Sequence, residues 1–133
     1  MAYDLWMEDG LLRIRLHDTL SPADLDGLAK AVIELEGRLP VIPPRVTEMV
    51  EVTEIEVGFR EFLVFVGYRR GQVLPNAVRS ALVVATNVQL GIARMFQTLN
   101  DHPQVTVRIF RDVDSAQAWA RERDDGARAD EPA

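Results

Sequence analysis

The stretch Ala81-Leu82-Val83-Val84-Ala85-Thr86-Asn87-Val88-Gln89 decides the fold. Its first five residues are apolar without a break. A strand covered on both faces reads this way, which implies a central, parallel position in a sheet. The next four have capping-box spacing, with Thr86 as the cap and Gln89 three residues on. Ile92, Met95, Phe96 and Leu99 then recur at helical intervals. After the break at Asn100-Asp101-His102-Pro103, Val105, Val107 and Ile109 alternate as a strand. Asp112 can cap a last helix that turns Ala116, Trp119 and Ala120 inward. Strand, helix, strand, helix in succession is the pattern of an α/β domain.

The front half extends the pattern. Tyr3, Leu5 and Met7 alternate along one strand, and Leu12, Ile14 and Leu16 alternate with Arg13 and Arg15 along the next. Between them Asp9-Gly10 suits the positive φ angles of a tight turn, so the pair reads as a hairpin with one wet face. Ser21-Pro22 opens a helix with Leu25, Leu28, Ala29 and Val32 on its apolar stripe, and Gly37 is a stop. Val46–Thr53 reads as a strand. Phe59, Phe62, Leu63 and Val66 have helical spacing, with Arg69 and Arg70 in the last turn and Gly71 beyond it. The order β-β-α-β-α-β-α-β-α predicts a single α/β domain over residues 1–120. Its sheet is mixed and mostly parallel, with an N-terminal hairpin and about four helices. Residues 121–133 are charged, then small and polar, and are expected to form a disordered tail because nothing there offsets the entropy of ordering.

The chain has 133 residues, enough for one domain that buries roughly two-thirds of its unfolded surface. Its net charge of −6 repels phosphate backbones, so no nucleic-acid partner is expected. The absence of cysteine excludes disulfides, thiolate chemistry and cysteine-based zinc sites. The first residues lack a basic segment and a long apolar run, and no apolar run approaches the ~20 residues of a membrane helix. The expectation is a cytoplasmic protein that is not an integral membrane protein.

Three segments resemble the SpoIIAA-like branch of the STAS superfamily, the domain of bacterial anti-sigma-factor antagonists. They are the hairpin strand Leu11–Leu16 followed by Ser21-Pro22-Ala23-Asp24, the Ala-rich strand leading to Gly91-Ile92-Ala93-Arg94-Met95-Phe96, and Val107–Phe110 followed by Asp112 and Ala116-Gln117-Ala118-Trp119. The resemblance covers roughly residues 3 to 120. It implies the fold and a regulatory, protein-binding role exercised through the loops after the third and fourth strands. It also implies a departure. Those antagonists carry an Asp-Ser-Ser-Gly signature with a phosphorylated serine, whereas this chain has Ile55-Glu56-Val57-Gly58, with no hydroxyl in either serine position.

No residue pattern announces catalysis. His17 and His102 stand beside loops with no nucleophile or second ligand nearby, and both read as surface residues. Glu48 and Glu51 point to opposite faces of a strand and do not converge. Glu54 and Glu56 fall in the loop that follows. With Gly58, Arg60, Thr86, Asn87 and Arg94 they form the candidate partner or ligand surface, Arg94 lying one turn past the start of the third helix. Arg69 and Arg70 read as a helix end that complements the dipole, or else as an anion site. No phosphate-binding glycine motif is present, and no cofactor or metal is expected. Trp6 falls on the hairpin face opposite Tyr3, Leu5 and Met7. With Leu39, Val41 and Ile42 it is the candidate self-association patch of a homodimer.

The sequence leaves two functions open, neither an enzyme. One is a non-catalytic domain that binds a protein partner without the serine switch. The other is a domain that binds a small apolar molecule or lipid, with Phe59, Phe62, Phe65 and Tyr68 around a pocket. An apolar cavity of several hundred Å³ under the second and third helices separates the two, because a solid core favours the partner. Phosphosite mapping of the native protein is expected to find no phosphate at Glu56 or Val57. A stoichiometric phosphate on Thr53, the nearest hydroxyl, that released a partner would restore the switch.

Overall fold

The computed structural model describes residues 2–122. The elements are β1 (Tyr3–Glu8), β2 (Leu11–Leu20), α1 (Pro22–Glu36), β3 (Arg45–Ile55), α2 (Phe59–Gly67), β4 (Val78–Val83), α3 (Asn87–Leu99), β5 (Val105–Phe110) and α4 (Val113–Arg121). They build one five-stranded sheet in the order β1-β2-β3-β4-β5. The β1–β2 pair is antiparallel and the other three pairs are parallel. The order and sheet type match the sequence reading. α4 runs one residue past the expected domain edge, and residues 123–133 of the expected tail lie outside the described residues.

Local chemistry explains the element ends. Asp9 and Gly10 have φ of 51° and 78°, the positive angles of the hairpin turn. Ser21 caps α1 by accepting from the Asp24 N–H at 3.2 Å, Thr86 caps α3 through the Gln89 N–H, and Asp112 caps α4 through the Ser115 N–H. Gly37 ends α1 with φ −64°, so its role there is not a left-handed cap. β3 is longer than expected. Glu54 lies within it opposite Thr19, not in the following loop, because the β2 pairing extends to Ile55.

Alternation along the strands sends side chains into two separate cores. On one face Leu12, Ile14, Met49 and Leu82 pack beneath α1, α2 and α3. On the other, Leu11, Val46, Ala81 and Val83 pack against Ala116 and Ala120 of α4. The unbroken apolar run of β4 therefore meets a helical layer on each side, which is why it lacks alternation. The α2 stripe is rotated from the expected one. Phe62 is buried, while Phe59 and Leu63 are 58% and 39% exposed. Nor is the hairpin's second face wet throughout, since Arg13 is buried between neighbours described below.

Ala116 is fully buried where α4 meets the sheet. Replacing it by leucine overfills that contact, and chemical denaturation is expected to show a loss of about 1–3 kcal/mol. The helix starts also set an acid response. The Asp24 carboxyl is held below its usual value by the Ser21 hydroxyl, Asp26 by the Tyr68 hydroxyl, and Glu61 by the Gly58 N–H. Because these folded values are depressed, their contribution is complete above the usual carboxylate range and is lost as pH falls through the folded values. Replacing Asp26 by asparagine is expected to flatten the acid limb of stability against pH and leave the neutral plateau's slope unchanged.

Candidate ligand site beneath the helical layer

A cavity of about 140 Å³ lies between the sheet and the layer of α1, α2 and α3. Most of its wall is apolar: Ile14 and Leu16 of β2, Leu28 of α1, Leu82 of β4 and Ala93 of α3 all face it. Phe65 meets Phe62 and Phe96 edge to face above it and Phe62 lies tilted against Phe96, with ring centroids 5.7–6.4 Å apart. These rings and Tyr68 are three of the four predicted pocket aromatics plus Phe96, whereas Phe59 points away. The volume is below the several hundred Å³ expected of a ligand pocket, yet the core is not solid. A cavity near 150 Å³ lined by Leu, Ile and Phe is large enough to hold benzene.

The other end of the cavity is polar. Arg45 opens β3, Glu36 closes α1, and Arg69 follows α2, so the topology brings all three to the edge where β3 and β4 begin. Glu36 accepts an ion pair from each arginine, with side-chain exposures of 5% for Glu36, 10% for Arg45 and 20% for Arg69. Arg45 also donates to the Pro43 carbonyl at 2.9 Å. Its Nε is buried with no acceptor. Burial pushes the Arg45 guanidinium below its ordinary value and Glu36 opposes that shift, but an arginine stays charged. Thr47, directly two residues on, and Ser80, opposite Arg45 in the register, add hydroxyls to the same wall.

His102 also lines this end and corrects the surface reading, being 8% exposed. Its Nε2 lies 2.7 Å from the Gln72 carbonyl and its Nδ1 accepts from the Gln104 N–H at 3.1 Å. Both nitrogens are occupied, so the ring ties loops together. His17 sits within β2, not beside it, with Asp18 at 2.8 Å and Asp4 at 3.4 Å. Those carboxylates, Asp18 foremost, raise its pKa. Among the described residues no group of three or more His, Asp or Glu side chains could hold a metal ion.

The predicted surface residues are only partly brought together. β3 and β4 are parallel neighbours, so Glu56, Gly58, Thr86 and Asn87 share one edge of the sheet. Two of these residues already have their polar groups in use: the Gly58 N–H donates to Glu61 at 2.7 Å and Thr86 caps α3. Glu54 accepts from the Thr19 hydroxyl at 3.2 Å. Arg60 lies on the groove between α1 and α2. Arg94 is about two turns, roughly 10 Å, past Asn87, not one, although α3 starts where the Thr86 cap predicts.

The candidate self-association residues divide between the two faces. Trp6 lies across from Arg13 in the hairpin, with the Arg13 and Arg15 guanidinium carbons each 5.3 Å from its ring centre and its N–H donating to Glu8. Arg13 is in turn ion-paired with Glu8 and Glu48. Ile42 is buried with Leu74 and Val78 on the opposite side of the sheet. Val41 is exposed and Leu39 half-buried, so the four do not make one patch.

Glu36, Arg45, Thr47, Ser80 and His102 do not stand out as site residues in the sequence. One signal was present. Glu36 continues the Leu25, Leu28, Ala29, Val32 stripe of α1, and a carboxylate on an apolar stripe calls for a buried cation.

Mixed sheet, hairpin edge, three helices on one face and a fourth on the other define a SpoIIAA-like fold. An uncharacterized protein of the DUF3478 family from Shewanella loihica PV-4, with a SpoIIAA-like fold, superposes on it with a TM-score of 0.59. The likeness covers 90% of this chain and 92% of that one at 15% identity, so it concerns the fold alone. No family model matches the chain, and no curated protein matches it. Among the described residues no helix is long and apolar enough to cross a membrane.

Truncating Glu36 to alanine leaves two arginines in the interior without their carboxylate. Denaturation is expected to show a loss of about 3–5 kcal/mol, while Glu34→Ala, at an exposed helical pair, changes stability by less than about 0.5 kcal/mol.

Proposed function

We propose that this chain is a non-catalytic binding domain that takes a small, largely apolar molecule into the cavity beneath α1, α2 and α3. The observation that carries the reading is the cavity itself, an apolar space walled by three aromatic rings and closed at one end by buried polar side chains. Native interiors are close-packed, and an apolar void forfeits dispersion contacts along its whole lining. A ligand restores those contacts. The scarcity of free functional groups supports a role without turnover, since both nitrogens of the buried histidine are engaged.

A second reading, docking of a regulatory protein partner on the edge after β3 and β4, is favoured by Phe59 and Val88. They are 58% and 68% exposed at the starts of α2 and α3, beside Glu56 and Asn87.

The cavity is tested by filling it. Ala93 is 1% exposed on the wall, and Ala93→Leu occupies part of the space. Titration of the unmodified protein with indole, followed by amide NMR, is expected to give saturable shifts around Phe62, Phe65 and Phe96. Those shifts vanish in the folded Ala93→Leu variant. Binding that survives the filled cavity, but is lost on replacing Phe59 and Val88 by aspartate, moves the site to the edge.

A further inference from the structure

We infer that the molecule taken up is a monocarboxylate of about six or seven carbons in all, its carboxylate received by Arg45 and Arg69. The inference rests on the cavity reading and names the chemistry of its occupant.

The charge at the polar end does not balance. Arg45, Arg69 and Glu36 sum to one positive charge, held at the wall of an apolar space with side-chain exposures of 20% or less. A buried cation without a full counter-charge is costly, and the Arg45 Nε has no acceptor at all. Other negative groups nearby do not close the gap. Asp101 is a carboxylate on the cavity wall, and it is engaged by the exposed Arg70 at 3.2 Å. The ends of α1, α2 and α3 point here, yet carbonyls of their last turns already accept from N–H groups of the turns that follow, such as Glu36 from Leu39 and Val66 from Arg69. A water could satisfy the Nε donor but brings no charge. A carboxylate brings the charge and two acceptor oxygens, and guanidinium groups are suited to receive them.

Shape agrees with charge. Thr47 and Ser80 stand beside Arg45 on the β3 and β4 side, where hydroxyls can complete the head-group contacts, and the aromatic rings lie farther along. A volume of about 140 Å³ limits the body to a short alkyl chain or a single ring.

The experiment uses the unmodified protein and two matched sets of probes, hexanoate with 1-hexanol and hexylamine, and benzoate with benzyl alcohol. Calorimetric titration is expected to show at least one acid binding ten times or more tighter than its alcohol, with hexylamine weakest. The preferred arm then tells a linear acid from an aryl acid. Arg69→Gln, at the more accessible of the two arginines, is expected to remove the preference for the acid while the alcohol's affinity stays within about twofold. Alcohols that bind as tightly as the acids overturn the carboxylate and leave the apolar cavity standing. If no probe of either set binds, the cavity reading falls with it.

Discussion

The structure depends on how β3 ends its pairing with β4. β3 has eleven residues and β4 has six, and they share a ladder only from Arg45 to Glu48. Beyond that point one side of β3 has backbone carbonyls inside the protein and no neighbouring strand. Gln89 supplies what the ladder cannot. Its Nε2 donates to the carbonyls of Val50 and Val52, and its Oε1 accepts from the N–H of Ala85 and Thr86. One amide, 2% exposed, thus satisfies the splayed strand and the start of α3 together. A buried polar group fully used in this way holds a unique arrangement, and half used it would be costly. Fixing the start of α3 there sets where Ile92, Ala93 and Phe96 meet the sheet, and so sets one wall of the cavity.

The two ends of the parallel strands have become chemically different. At their C-terminal end the helix starts are capped and the loops are exposed. At their N-terminal end the helices finish, and the chain places Glu36, Arg45, Arg69 and His102 inside. Ionic interiors are weak evidence for stability, since well-packed apolar residues of similar volume often do as well. What sets this end apart is that Arg45, Arg69 and Glu36 leave one positive charge in excess beside a void. The hairpin side also leaves the Nε of Arg13 and of Arg15 without a hydrogen-bond partner, but its charges balance. Arg13 and Arg15 are spread over Trp6 and matched by Glu8 and Glu48, so that the hairpin's outer face is covered by its own long side chains.

The strand and helix order, the capping residues Ser21, Thr86 and Asp112, the Asp9-Gly10 turn and the doubly covered β4 were all legible in the sequence. Each rests on neighbours within four residues or on a period of two or 3.6, which a linear reading can see. Glu54 was displaced because element ends depend on pairing partners: β2 carries β3 on to Ile55. The candidate site was much less legible. Its polar members come from residues 36, 45, 47, 69, 80 and 102, and no local pattern links them.

By itself, then, the chain determined an α/β domain with a mixed sheet, because hydrophobic period and turn chemistry are properties of short segments. Tertiary structure alone decided that His102 is buried, that Trp6 and Ile42 lie on opposite faces, and that Arg69 turns inward to Glu36. The physical reason is the parallel crossover. It brings the end of each helix back to the start of the next strand, so groups tens of residues apart share one desolvated space whose charge balance is set only when the sheet closes.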